Sequence, residues 1–136
     1  SLDNFNNGYY YSLNNADELF IKESNLIKKL ASKSSCIIVG RCADFVLKDN
    51  KNLIKIFIYS DIDSKISRAV KYYKIKKSDA KKQIEKVNKL RANHYKYYTG
   101  REWNNPANYD LCLNSDSIGV EKCAEVIKEY ILSSKR

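Results

Sequence analysis

The sequence predicts an α/β fold in which helices cover a parallel sheet, and three observations carry that prediction. Short apolar runs at Cys36 to Val39, Leu53 to Tyr59 and Tyr109 to Asn114 have the length of strands. Stretches with apolar residues at helical spacing separate them, and such alternation is the mark of α/β layering. The first run is continuous rather than alternating, as in a parallel-sheet strand covered on both faces. Ligands of such sheets sit at the carboxyl ends of the strands. Gly40-Arg41, Ser60-Asp61 and Asn114-Ser115 are therefore expected on one rim.

Taken in order, the first 13 residues, with Asn, Gly and Tyr and no periodicity, read as a loop or mobile segment. From Ala16 the positions Ala16, Leu19, Phe20, Leu26, Ile27 and Leu30 predict a helix with Asn14 or Asn15 as N-cap, stopping at "SKSS". The Cys36–Val39 strand ends at Gly40, and "DFVLKDNKN" leads away from it. The second strand, "LIKIFIY", runs into "SDIDS", where Ser60 or Asp61 caps a helix bearing Ile62, Ile66, Ala69, Val70 and Tyr73 on one face. Ser78 is the expected cap of a longer helix toward Tyr98, striped by Ala80, Ile84 and Val87. Gly100 and Pro106 break it in "TGREWNNPAN". The third strand, "YDLCLN", precedes a last helix over Val120 to Leu132.

The 136 residues are domain-sized, and no apolar stretch nears the ~18 residues that span a membrane. The polar beginning carries no basic residue and so lacks the basic region of a signal peptide, and a cytoplasmic location is the default expectation. Cys36, Cys42, Cys112 and Cys123 have no CxxC spacing, and His94 is the only histidine; reduced thiols and no metal site are expected. The net charge of +9 suits an anionic partner. Five of the 25 basic residues are arginine and the rest lysine. Against that background Arg41, Arg68 and Arg91 suggest planar recognition of phosphate or carboxylate.

Three segments then stand in order: "VGRCADFVL" after one strand, "IFIYSDIDSKISR" from strand into helix, and "LRANHYKYYTGREW" before "YDLCLNSDSIGVEKCAEVIKEYI". Together they resemble the cytidylate kinase-like family of P-loop nucleoside monophosphate kinases, over nearly the whole chain from about Leu13. The resemblance implies a three-layer parallel-sheet sandwich with a helical lid over residues 71–89, a single domain over 1–136, and phosphoryl transfer from MgATP to CMP, dCMP or a related small acceptor. It implies Gly40, Arg41, Asp44 and Tyr95 at the acceptor, Arg68 and Arg91 over the transferring phosphoryl, and Asn114 and Ser115 near the ATP base. Asp44 could also orient Arg41. Cations over the spreading charge are what such a transfer requires.

No G-x-x-x-x-G-K-S/T motif occurs, and none of the four glycines (8, 40, 100, 119) stands in such a loop. In this family the P-loop strand lies mid-sheet, between the strands ending at Gly40 and Tyr59. The expectation is therefore an incomplete kinase-like domain, lacking its first strand and P-loop and with them the grip on ATP and Mg2+, and inactive alone. No acid replaces the one that would read the cytosine amino group near Tyr95. A nucleotide-binding module without turnover is one alternative. A single-stranded nucleic-acid binder using "HYKYYTGREW" is another, disfavoured because these aromatics follow a helix instead of a sheet face. Nucleotides are the expected partners, with neither membrane nor nucleic acid among them.

Overall fold

The computed structural model describes the backbone of residues 3–134 and the side chains of residues 15–134. It contains two compact units, Ser1–Asn50 and Lys51–Arg136.

The first unit is built on helix α1, Asp3–Lys33, and a single helical turn α2, Ala43–Val46. The helix starts well before the expected Ala16, and only Ser1 and Leu2 of the expected opening loop lie outside the described backbone. Phe5, Tyr9, Leu13 and Ala16 continue the three-to-four-residue spacing upstream, so Asn14 and Asn15 lie inside the helix instead of capping it. Among the described residues of the unit, Ile27, Cys42 and Ala43 are the buried apolar ones.

The strand expected at Cys36 to Val39 does not form: these residues have no ladder partner among the described residues, and Ile37 and Val39 are 92% and 88% exposed. An apolar run is a strand only when a neighbour takes its N–H and C=O groups. The sequence supplied the apolar surface, while the described residues supply no such neighbour.

The second unit holds strands β1, Ile56–Tyr59, and β2, Leu111–Asn114, paired in parallel with Ile56 opposite Leu111 and Tyr59 opposite Asn114. β1 is shorter than its apolar run because Asp110 takes over the ladder at its amino end. The Lys55 carbonyl accepts from the N–H groups of Asp110 and Leu111 (2.8 and 3.2 Å), and the Asp110 carboxylate accepts the Lys55 N–H at 2.8 Å.

Helices α3, Ile62–Tyr73, and α4, Lys77–Thr99, form a hairpin between the strands. Asp61 caps α3 by accepting the Ser64 N–H at 2.8 Å. Ala69 and Ala80 are both buried, Ala80 completely, so the hairpin closes on small residues. The residues 71–89 expected to act as a lid fall on this hairpin.

Gly100 ends α4 with φ 72°, and its N–H returns to the Lys96 carbonyl at 2.8 Å. The chain then crosses a 3-10 turn, Pro106–Asn108, to reach β2. α5, Ser115–Ile118, and α6, Val120–Ser133, complete the unit, with Cys123 buried.

The loop between α4 and β2 is fixed by aromatic packing. Phe57 of β1 stacks on Tyr109 (centroids 4.8 Å apart) and takes the edge of Trp103 at 5.7 Å, while the Tyr109 hydroxyl donates to the Trp103 carbonyl at 2.5 Å. Trp103 and Tyr109 thus pack together against the Phe57 ring of β1. No described helix is long and apolar enough to cross a membrane.

Candidate functional site

In the first unit the candidate residues gather at a turn of unusual backbone. Gly40, Arg41 and Cys42 all have positive φ (71°, 58° and 55°), and the Ala43 N–H closes the turn on the Gly40 carbonyl at 3.2 Å. Glycine adopts this region freely, whereas each L-residue pays roughly 1–2 kcal/mol. Two strained residues in a row are kept only where the surroundings dictate them, and such positions gather at functional sites.

The turn presents the Arg41 guanidinium, 62% exposed, 3.4 Å from the Glu23 carboxylate of α1. Arg41 thus has a structural partner on α1, Glu23, a residue the sequence did not single out. An exposed pair of this kind contributes at most about 1 kcal/mol. Such a pair steadies the guanidinium only weakly. Asp44 lies in the first turn of α2, partly buried.

Cys42 is enclosed beneath this turn. Burial first, then the negative charges of Asp44 and Glu23, push its thiol up from 9.0 to about 11, against the opposing pull of Arg41. Cys42 and Cys123 are buried, Cys112 is partly buried and Cys36 is exposed. A thiol reagent at pH 8 is thus expected to modify Cys36 in the first phase and Cys42 only after unfolding. Peptide mapping by mass spectrometry checks this, and early labelling of Cys42 would contradict it.

In the second unit the carboxyl ends of β1 and β2 lie side by side because Tyr59 and Asn114 are in register. The Ser115 hydroxyl, in a buried residue, donates to the Tyr59 carbonyl at 3.2 Å. The Asn114 side chain accepts the Asp116 N–H at 3.0 Å. The Asp116 carboxylate accepts the Asp61 N–H at 2.6 Å. Arg68, two turns into α3, reaches back so that Nη2 donates to the Ser60 hydroxyl at 2.7 Å. Two of the three segments expected on one rim, Ser60-Asp61 and Asn114-Ser115, therefore meet in this unit with Arg68 fixed beside them, while Gly40-Arg41 belongs to the other unit and follows no strand. Asp116 is the contributor that sequence did not place on the rim, and Ser60, which it did place there, has Arg68 as its partner.

The Asp61 N–H is the largest cause that holds the Asp116 carboxyl below its ordinary 3.8, helped by Ser64 and by the charge of Arg68. A carboxyl whose pKa is lower in the folded chain stabilises the fold above pH 3.8 and loses that contribution as pH falls through its folded value. Asp116→Asn, which keeps the acceptor oxygen, is expected to flatten the acid limb of a melting-temperature profile below pH 3.8. An unchanged limb would contradict this.

Arg91 and Tyr95 stand four residues apart on α4, Arg91 exposed and Tyr95 buried. Among the described residues no group of three His, Cys, Asp or Glu side chains is placed to hold a metal ion.

The profile of the cytidylate kinase-like family matches residues 2–117. The chain belongs to the cytidylate kinase-like family. The match contains Arg41, Arg68, Arg91, Ser60 and Asp116 and ends within α5. This cytidylate kinase-like chain is also similar to a crystal structure of an uncharacterized protein from Eubacterium ventriosum. The TM-score is 0.83 at 31% identity, over 88% of this chain and 68% of that one. No curated protein matches.

Proposed function

We propose that the full-length protein transfers a phosphoryl group from MgATP to a small acceptor, CMP or dCMP in the first instance. The observation that supports this most is Arg68, anchored at the carboxyl rim of a parallel sheet in a chain of the cytidylate kinase-like family. Arg41 takes the acceptor phosphate, its weak pair with Glu23 giving way to the stronger bidentate contact. Arg68 and Arg91 spread positive charge over the transferred group. Phosphoryl transfer asks little covalent work of the protein, so positioning and electrostatics are where the arginines act. The helical hairpin over 71–89 is the candidate lid, its closure excluding water from the rim.

Among the described residues no three His, Cys, Asp or Glu side chains are grouped to hold a metal ion by themselves. Mg2+ would arrive with the nucleotide, held mainly by its phosphates.

The same reading places this chain within a longer protein. Among the described residues β1 is bonded on one edge only, to β2, and Cys36 to Val39 have no strand partner. A two-stranded sheet is marginal in water. A further parallel strand leading into a glycine-rich phosphate loop would supply the ladder these segments lack and a seat for ATP. The solved chain from Eubacterium ventriosum has room for it, since 68% of its length is matched here.

The test is ADP formation by the full-length protein with MgATP and a panel of nucleoside monophosphates. Stimulation by CMP or dCMP above the others is expected, and no turnover from the 136-residue chain alone. A cooperative melt and acceptor-dependent ADP formation by that chain alone would contradict the need for a further segment. No response to any acceptor would contradict the kinase reading.

A further inference from the structure

We propose that Ser60 is a positioning residue for phosphoryl transfer, holding the Arg68 guanidinium in place at the end of β1. This rests on the phosphotransferase reading above and adds to it a residue that nothing else assigns.

An arginine side chain carries about 2 kcal/mol of rotamer entropy, which must be overcome whenever its charge is fixed against a substrate. Arg68 has already been fixed. Its Nη2 donates to the Ser60 hydroxyl at 2.7 Å in a partly buried bond. Ser60 is itself held at a rigid point, since it follows Tyr59, the last residue of β1, and precedes Asp61. Asp61 is tied twice, its carboxylate to the Ser64 N–H at 2.8 Å and its own N–H to Asp116 at 2.6 Å. The second bond joins residues 55 apart in sequence, so the position of the guanidinium is referred to the ends of both strands.

The chemistry of the holding group matters as much as its place. A carboxylate would fix the arginine and cancel its charge. A hydroxyl fixes it and leaves the charge intact. Among the described residues Arg68 forms no ion pair with a carboxylate, and the nearby Asp116 already accepts the Asp61 N–H. A guanidinium has five N–H donors and Ser60 occupies one, so a forked face remains for the oxygens of an anion. Asp116 fixes the turn that carries Ser60, and it acts through the backbone.

Two measurements on the full-length protein test this. In nitrogen-15 NMR of the arginine side chains, assigned by loss in Arg68→Lys, the Arg68 guanidinium is expected to rotate slowly in the unsubstituted protein and freely in Ser60→Ala. In the kinase assay Ser60→Ala is expected to lower kcat about tenfold, the low end of the scale for a hydrogen bond to a charged group, with both KM values and the melting temperature nearly unchanged. Ser60→Thr, which keeps the hydroxyl, restores kcat. Ser60→Ala adds no loss when combined with Arg68→Ala, because the two act as one unit.

A freely rotating Arg68 in the unsubstituted protein, or a Ser60→Ala loss that adds in full to that of Arg68→Ala, would overturn the positioning role. Absence of turnover in the unsubstituted protein overturns instead the phosphotransferase reading on which it rests. The NMR result then separates the two failures.

Discussion

Arg68→Ala in the full-length protein is expected to lower kcat about a thousandfold with little change in melting temperature. Removing one preorganised donor aimed at developing charge costs about 10²–10³ in rate, and a transition-state arginine in phosphoryl transfer rather more. The structural loss is small by comparison, because the side chain makes one partly buried hydrogen bond, to Ser60. Arg68→Lys is expected to recover only part of the rate, since an ammonium keeps the charge but not the planar fork. Steady-state kinetics beside a thermal melt decides the matter. A variant that keeps its rate would remove Arg68 from the chemistry, and one that loses rate and fold together would make it structural.

The second large effect concerns stability. Phe57→Ala is expected to cost about 3 kcal/mol, the cost of deleting a packed aromatic side chain. Phe57 is the ring on which Tyr109, Trp103 and Tyr59 converge, at 4.8, 5.7 and 6.1 Å between centroids. Its loss frees the loop between α4 and β2 as well as the face of β1. Trp103 is the only tryptophan in the chain, so its fluorescence reports on that loop directly. A lower urea midpoint with red-shifted emission is the expected outcome. Ile58→Ala, next along the strand but 52% exposed, is the comparison and is expected to cost less than about 1 kcal/mol. Equal costs for the two would contradict the placing of the packed face.

What could be read from the sequence follows the range of the interactions involved. Helices α3, α4 and α6 were legible because their apolar stripes, the cap at Asp61 and the stop at Gly100 are local. The family could be read from three short segments and is shown by a match over residues 2–117. Cys36 to Val39 read as a strand and does not form one, because pairing needs a partner that apolar composition cannot announce. Upstream, the asparagines drew attention to a loop, while the spacing of Phe5, Tyr9 and Leu13 was the better guide to α1.

The same division runs through the candidate site. Arg41, Arg68 and Arg91 stand out against a lysine-rich background. Their partners do not. Glu23 is paired with Arg41 only through the packing of α1 and α2, and Asp116 reaches Asp61 only because β1 and β2 are parallel and in register. Ser60 was visible as a rim hydroxyl, yet its bond to Arg68 needs the exact phase of α3 relative to the strand end.

The measurement that bears most directly on all of this is a phosphorus-31 NMR time course of the full-length protein with MgATP and CMP. Phosphoryl transfer predicts that the ATP γ-resonance falls as the paired resonances of ADP and of a second nucleoside diphosphate rise together, with no matching growth of inorganic phosphate. An unchanged spectrum, or ADP accompanied by inorganic phosphate alone, would contradict transfer to a nucleotide acceptor.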